Sequence, residues 1–155
     1  MAITVKEKEL VAVGISVASG CKPCTNFHVG KARGAGAPDR EIEQAVVDAL
    51  SVRECATEFI KSHALARLDH DRSPRLVDSP STTNHVRQMI FVGAAIGVNC
   101  TSNLETHLVA ARATGISIQE IAEIAELAAS IKQQAATHVA RLAGMSETEA
   151  GGTAA

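Results

Sequence analysis

The sequence predicts an all-α fold made of two related helical units within one domain, and two observations carry this prediction. The first is composition: 46% of the residues are hydrophobic, yet there is no Trp or Tyr and there are only three Phe. The apolar residues are mostly Ala, Val, Ile and Leu, which favours closely packed helices over sheets. The second is an internal repeat, because identical residues recur 79 positions apart. These are Gly14 and Gly93, Arg33 and Arg112, Gly36 and Gly115, Glu41 and Glu120, and Ile42 and Ile121.

The first unit is expected at residues 5–68. Its helices are expected over 5–19, 22–34 and 39–68. The first helix has little polar surface, which is typical of a buried helix, and Gly20 follows its end. Pro23 suits the first turn of the second helix, because its missing N–H is not needed there. Gly and Pro residues then stop this helix, and Asp39 starts the third.

The second unit is expected at residues 84–143, after a linker at 69–83 in which Pro, Ser, Thr and Asp break the periodicity. Its helices are expected over 84–98, 101–114 and 118–143. Ser117 and Glu120 have the spacing of a capping box, which marks the start of the last helix. The small and polar residues 146–155 predict a disordered tail. The whole chain, residues 1–155, is expected to be a single domain.

Charge and hydropathy exclude several classes of function. The net charge is −2 and no aromatic platform accompanies the basic residues, which argues against nucleic-acid binding. The apolar run at 10–19 is too short to span a bilayer, and Glu7 and Glu9 stand where a signal peptide carries positive charge. We expect a cytoplasmic protein with no nucleic-acid or membrane partner and with reduced, catalytic or metal-bound cysteines. Its Ala- and Gly-rich surfaces predict a homo-oligomer.

The candidate chemistry lies in the first unit, at Cys21, Cys24, His28 and Glu9. Two cysteines three positions apart at a helix start lie within disulfide reach, and the helix N-terminus favours the thiolate. His28 follows Cys24 by four positions and shares its helix face, so its imidazole can take the thiol proton. If the first two helices pack antiparallel, Glu9 can orient or charge His28. Thiol, base and orienting acid then form an activated nucleophile.

The second unit carries a degraded copy of this constellation at the same 79-residue offset. Its residues are Gln88, Cys100, Asn103 and His107. One thiol and the carboxylate are missing, so we expect no second redox site. Cys100, like Cys55, is expected to be a small core residue, and His107 is expected to be structural rather than part of a shared pocket.

The pattern Glu9-x11-Cys21-x2-Cys24-x3-His28 resembles the active-site signature of the alkylhydroperoxidase D-like proteins of the carboxymuconolactone decarboxylase superfamily. The resemblance is specific at residues 9–42 and looser over about 5–143. It implies an all-α fold of tandem pseudo-repeats, a trimeric or hexameric assembly and reduction of hydroperoxides through the cysteine pair. It implies no metal and no prosthetic group.

The same resemblance implies roles for the residues. Cys24 corresponds to the peroxidatic thiol and Cys21 to the resolving thiol, while Glu9 and His28 form the proton relay. The substrate is then a hydroperoxide or a disulfide, and an external dithiol supplies the electrons. Pro23 departs from the best-known member of the group, which has a histidine there, so one possible proton carrier is missing.

Three alternatives to a thiol peroxidase or disulfide reductase stay open at this point. Cys21, Cys24 and His28 are three plausible zinc ligands of a metal-binding helical module, without an obvious fourth. A lyase of the decarboxylase type would use His28 or His107 for acid–base chemistry, although retention of both cysteines argues against it. A helical interaction protein would carry the same residues as a vestigial site.

Overall fold

The computed structural model describes residues 2–69, 71–73, 75 and 77–145, and this part of the chain contains six helices and no strand. They are α1 (Val5–Ala18), α2 (Lys22–Gly34), α3 (Asp39–Leu68), α4 (His85–Gly97), α5 (Thr101–Ala113) and α6 (Ile118–Leu142). The predicted all-α class is confirmed. The tail predicted at 146–155 lies outside the described residues.

The six helices form two sets of three, and in each set two short helices are followed by a long one. The helices α1 and α4 pack against each other at the centre; α3 packs on both of them, and so does α6. The short helices α2 and α5 lie outside this group, α2 against α1 and α6, and α5 against α4 and α3. None of the described helices combines the length and apolarity that a membrane crossing requires.

Local side chains cap the starts of α1 and α6. The predicted capping box of α6 is present, because Glu120 N–H donates to Ser117 Oγ while the Glu120 carboxylate accepts from Ser117 N–H. Thr4 and Glu7 form a second capping box at the start of α1. These contacts satisfy backbone N–H groups that would otherwise lack partners at a helix start.

Two glycines allow α1 and α4 to approach closely. A Cβ atom added at Gly14 would lie 2.7 Å from Ile90 Cγ2, and one added at Gly93 would lie 2.8 Å from Ile15 Cγ1. Both distances are shorter than carbon atoms tolerate, so each position accommodates only a glycine at this separation. The two glycines are a pair of the 79-residue repeat, which accounts for their recurrence in the sequence.

The turns that lead into α2 and α5 have the same backbone form. Gly20 and Asn99, 79 positions apart, both adopt a left-handed conformation with φ of 71° and 57°. A cation from a long helix lies against each turn. Arg53 of α3 donates to Ala18 O at 3.0 Å, and Lys132 of α6 donates to Asn99 Oδ1. The first of these turns places the cysteine pair at the N-terminus of α2.

Candidate functional site

Cys21 and Cys24 form a disulfide at the first turn of α2. The S–S distance is 2.08 Å and the two Cα atoms are 5.3 Å apart. Cys21 is the N-cap residue, and its Sγ accepts a hydrogen bond from Cys24 N–H at 3.2 Å. Both residues are only 6% exposed. The pair is therefore shielded from water and sits where the partial positive charge of a helix start favours a thiolate.

Glu9 and His28 are joined across the α1–α2 contact. Glu9 Oε2 lies 2.8 Å from His28 Nδ1, and the two side chains are 17% and 14% exposed. Because an ionised carboxylate only accepts hydrogen bonds, Nδ1 carries the proton of this bond. When the imidazole is neutral, its lone pair is then on Nε2, the nitrogen that can take a proton from another group.

An aromatic side chain borders this pair. The Phe27 ring meets the His28 ring edge to face with centroids 5.0 Å apart, and Lys31 Nζ lies 5.6 Å above the Phe27 ring. Phe27 itself is 59% exposed. The His28 side of the site thus lies beneath an exposed apolar ring rather than at the bottom of a closed cavity.

A second imidazole, which no sequence motif predicted at this site, comes from α6. The ligand atoms of Cys21, Cys24 and His138 all lie within 4.8 Å of one another. Among the described residues, this is the one group of three or more His, Cys, Asp or Glu with such spacing. His28 is not part of it. The zinc-binding alternative named Cys21, Cys24 and His28 as ligands, but the group that the structure brings together has His138 as its third member.

Two members of the degraded constellation of the second unit, Asn103 and Gln88, make hydrogen bonds. Asn103, in the position of the second cysteine, donates through Nδ2 to Val52 O at 3.5 Å and to Cys100 Sγ at 3.4 Å. It also accepts from Ser79 Oγ at 3.0 Å. Gln88, in the position of the glutamate, donates to Thr82 O at 2.8 Å. Ser79 and Thr82 of the linker thus bond to the counterparts of Cys24 and Glu9, while Gln88 Oε1 is buried without a hydrogen-bond partner among the described residues.

His107, the counterpart of His28, is buried and has a different environment. It is 1% exposed, its ring lies 4.9 Å from that of Phe91, and its Nε2 is buried without a hydrogen-bond partner in the part of the chain that the structure describes. Burial lowers the pKa of His107 to about 4, because the charged form loses its hydration. His107 is therefore neutral at pH 7.

The remaining cysteines are free thiols. Cys55 is buried and its Sγ donates to Asp78 O at 3.7 Å, whereas Cys100 is partly exposed. A cavity of about 980 Å³ opens beside Cys100, between α3 and the turn after α4. Cys21, Cys24 and His28 do not line it. We place the candidate chemistry at the disulfide rather than in this cavity, because the described residues that line the cavity include no paired thiol and no hydrogen-bonded base.

Fold and site together define an all-helical protein with a buried Cys-x-x-Cys pair at a helix N-terminus. Residues 2–67 match the model of the carboxymuconolactone decarboxylase family, in agreement with the resemblance recognised in the sequence motif. This match covers α1, α2 and nearly all of α3, including the disulfide, Glu9 and His28. A search of the curated proteins and a search of the solved structures found no match to this chain.

Proposed function

We propose that this protein is a thiol-dependent peroxidase or disulfide reductase that reduces organic hydroperoxides through Cys21 and Cys24. The observation that supports it most is the joint placement of two elements on α2. The cysteine pair lies at the N-terminus of this helix, and a carboxylate-bound imidazole follows one turn later. A buried, paired cysteine with a nearby oriented base is the arrangement of an activated thiol nucleophile.

In the first step, the Cys24 thiolate attacks the distal oxygen of the hydroperoxide. The O–O bond breaks, Cys24 becomes a sulfenic acid, and the other oxygen leaves as an alcohol after taking a proton. His28 is the proposed proton carrier, since it takes the thiol proton and returns it to the leaving oxygen. Glu9 keeps the proton on Nδ1, so that Nε2 performs this exchange.

In the second step, the Cys21 thiol condenses with the sulfenic acid. The Cys21–Cys24 disulfide forms and water leaves, which gives the state that the structure shows. An external dithiol then reduces the disulfide by thiol exchange and is itself oxidised. The cycle therefore consumes one hydroperoxide and one dithiol in each turn.

The proposal is tested by a single-turnover experiment. Fully reduced protein receives one equivalent of an organic hydroperoxide, free thiols are alkylated, and peptide mass mapping locates the disulfide. We expect a rapid Cys21–Cys24 disulfide, with Cys55 and Cys100 still alkylated. Four alkylated cysteines with the peroxide unconsumed would remove the peroxidase proposal.

Single cysteine variants separate the two roles. Cys24→Ser is expected to abolish peroxide consumption, whereas Cys21→Ser should leave a sulfenic acid that dimedone traps on Cys24. Cys100→Ser is a matched control, because it removes a partly exposed N-cap thiol without touching the pair. Peroxide consumption that survives Cys24→Ser would show that the mechanism is wrong.

The proposal extends to the assembly and the compartment. Large apolar side chains are exposed on several helices, including Phe27, Val109 and Val139, and these support a homo-oligomer, for which the family resemblance implies three or six copies. Analytical ultracentrifugation tests this number.

A cycle that ends in thiol exchange needs a reducing donor, so the cytoplasm is the proposed compartment.

The decarboxylase-type lyase is less well supported by the geometry. His107 is neutral, buried and outside the cavity described above, so it is poorly placed to act as an acid on a substrate. His28 is bound to Glu9 beside the cysteine pair. A lyase activity that survives alkylation of both thiols would favour this alternative.

A further inference from the structure

His138 stands out among the residues that the proposed cycle does not use. It lies on α6, which packs on α2, and its ring is half-buried beside the two buried sulfurs. Among the described residues, no hydrogen bond or ion pair engages this ring. By contrast, Nδ1 of His28 is bound by Glu9 at 2.8 Å. The imidazole that is free to coordinate beside both sulfurs is therefore that of His138.

We propose that Cys21, Cys24 and His138 form a zinc site that exists only in the reduced protein. Two thiolates and one imidazole are ligands that Zn²⁺ prefers. In the disulfide state the sulfurs are bonded to each other and no thiolate is present, so the site is closed to metal. Reduction supplies two thiols, and Zn²⁺ then displaces two protons as it binds.

The spacing suits this ion. Zinc lies about 2.3 Å from sulfur and about 2.0 Å from a histidine nitrogen, so tetrahedral ligand atoms are separated by roughly 3.5–4 Å. The three ligand atoms already lie within 4.8 Å of one another. Once the S–S bond is broken, the sulfurs can separate to the required distance by side-chain rotation alone. Their position at the start of α2 stabilises the negative charge that zinc binding requires.

The site has three protein ligands, which leaves the fourth position for water or a small thiol. Zinc sites with three protein ligands keep such an open position, whereas structural zinc sites are closed by four protein ligands. Oxidation would empty the site: the zinc-bound dithiolate, one hydroperoxide and two protons give the disulfide, an alcohol, water and free Zn²⁺. The cysteine pair would thus couple thiol oxidation to zinc release.

The test uses full-length, tag-free protein that has been reduced, freed of metal and titrated with Zn²⁺ against a chromophoric chelator. Reduced wild-type protein should bind one zinc ion, and the disulfide form should bind none. Co²⁺ in place of zinc should give a near-ultraviolet sulfur-to-metal band with the intensity of two thiolates. Absence of zinc binding by reduced wild-type protein would overturn the proposal.

Two histidine variants identify the third ligand. His138→Gln should weaken zinc binding by at least about tenfold, whereas His63→Gln, which replaces an exposed histidine of α3 outside the site, should leave it within about twofold of wild type. Equal binding by wild type and His138→Gln, or an equal loss in both variants, would overturn the assignment. Circular dichroism confirms that each variant is folded before titration.

This inference does not depend on the proposed peroxidase cycle, because the titrations contain no peroxide. Reduced protein that binds zinc through His138 but forms no disulfide with hydroperoxides would retain the zinc site and lose the peroxidase proposal. A protein that forms the disulfide but binds no zinc would give the opposite result.

Discussion

Oε2 of Glu9 lies 2.8 Å from Nδ1 of His28, although the two residues belong to different helices. Their contact exists because α1 and α2 pack against each other on either side of the Gly20 turn. Both side chains are mostly buried, so water competes weakly for this hydrogen bond. The pair therefore fixes the orientation and tautomer of an imidazole one helical turn after Cys24.

Replacement of this carboxylate is expected to slow the reaction of Cys24 with peroxide. Glu9→Gln removes the charge that holds the proton on Nδ1, and we expect a loss of about a hundredfold in the rate of sulfenic acid formation. Stopped-flow measurement with an organic hydroperoxide checks this. Glu41→Gln is the matched control, since its carboxylate instead pairs with Lys6 at 3.0 Å. Equal rates in the two variants would contradict the role of Glu9.

The second unit should regain a disulfide when its missing cysteine is restored. Cys100 has φ and ψ of −98° and 101°, close to the −90° and 98° of Cys21, and both residues are N-caps. Asn103→Cys in a Cys21→Ser, Cys24→Ser background should therefore form a 100–103 disulfide with a thiol oxidant such as diamide. Peptide mass mapping detects it, and the same background with Asn103 retained is the control. Free thiols at both positions would contradict the backbone argument.

The close crossing of α1 and α4 predicts that an alanine at Gly14 destabilises the protein, whereas an alanine at Gly30, away from this contact, does not. Gly14→Ala places a Cβ 2.7 Å from Ile90 Cγ2 in a buried contact, and we expect a loss of about 1–3 kcal/mol in the free energy of unfolding. Gly30→Ala is the control, because no atom of the described residues lies within 4 Å of its added Cβ. Alanine also favours a helix, so this substitution should stabilise the protein by up to about 1 kcal/mol. Urea denaturation measures both. Ile90→Ala should reduce the cost of Gly14→Ala in a double-mutant cycle.

Protonation of the buried His107 ring is expected to lower the free energy of unfolding in acid. Its pKa is about 4 in the folded protein and near its ordinary value of about 6.5 when unfolded, so the unfolded state binds the proton first as pH falls. Above about pH 6.5 the neutral ring makes its full contribution to the free energy of unfolding. This contribution is lost as pH falls from about 6.5 to about 4. Between pH 6.5 and 4.5, wild type should lose roughly 2–3 kcal/mol more than His107→Leu. Parallel stability curves for the two proteins would contradict this assignment.

The sequence alone determined those features that depend on neighbours within one or two helical turns. Helix boundaries follow from apolar periodicity and from caps such as Ser117 with Glu120, which are local interactions. The positions of Cys21, Cys24 and His28 on one helix follow from spacing in the same way. For these residues, a few backbone angles fix the distances before any tertiary contact forms.

Tertiary structure decided everything that joins distant segments. The contact of Glu9 with His28 required a particular packing of α1 on α2, which the sequence could state only as a condition. The approach of His138 to the cysteine pair was not predictable, because it depends on how α6 crosses α2 at the other end of the chain. Likewise, only folding brings Ser79 of the linker to Asn103. Such contacts depend on how the surfaces of packed helices fit together, and the spacing of residues along one helix does not predict them.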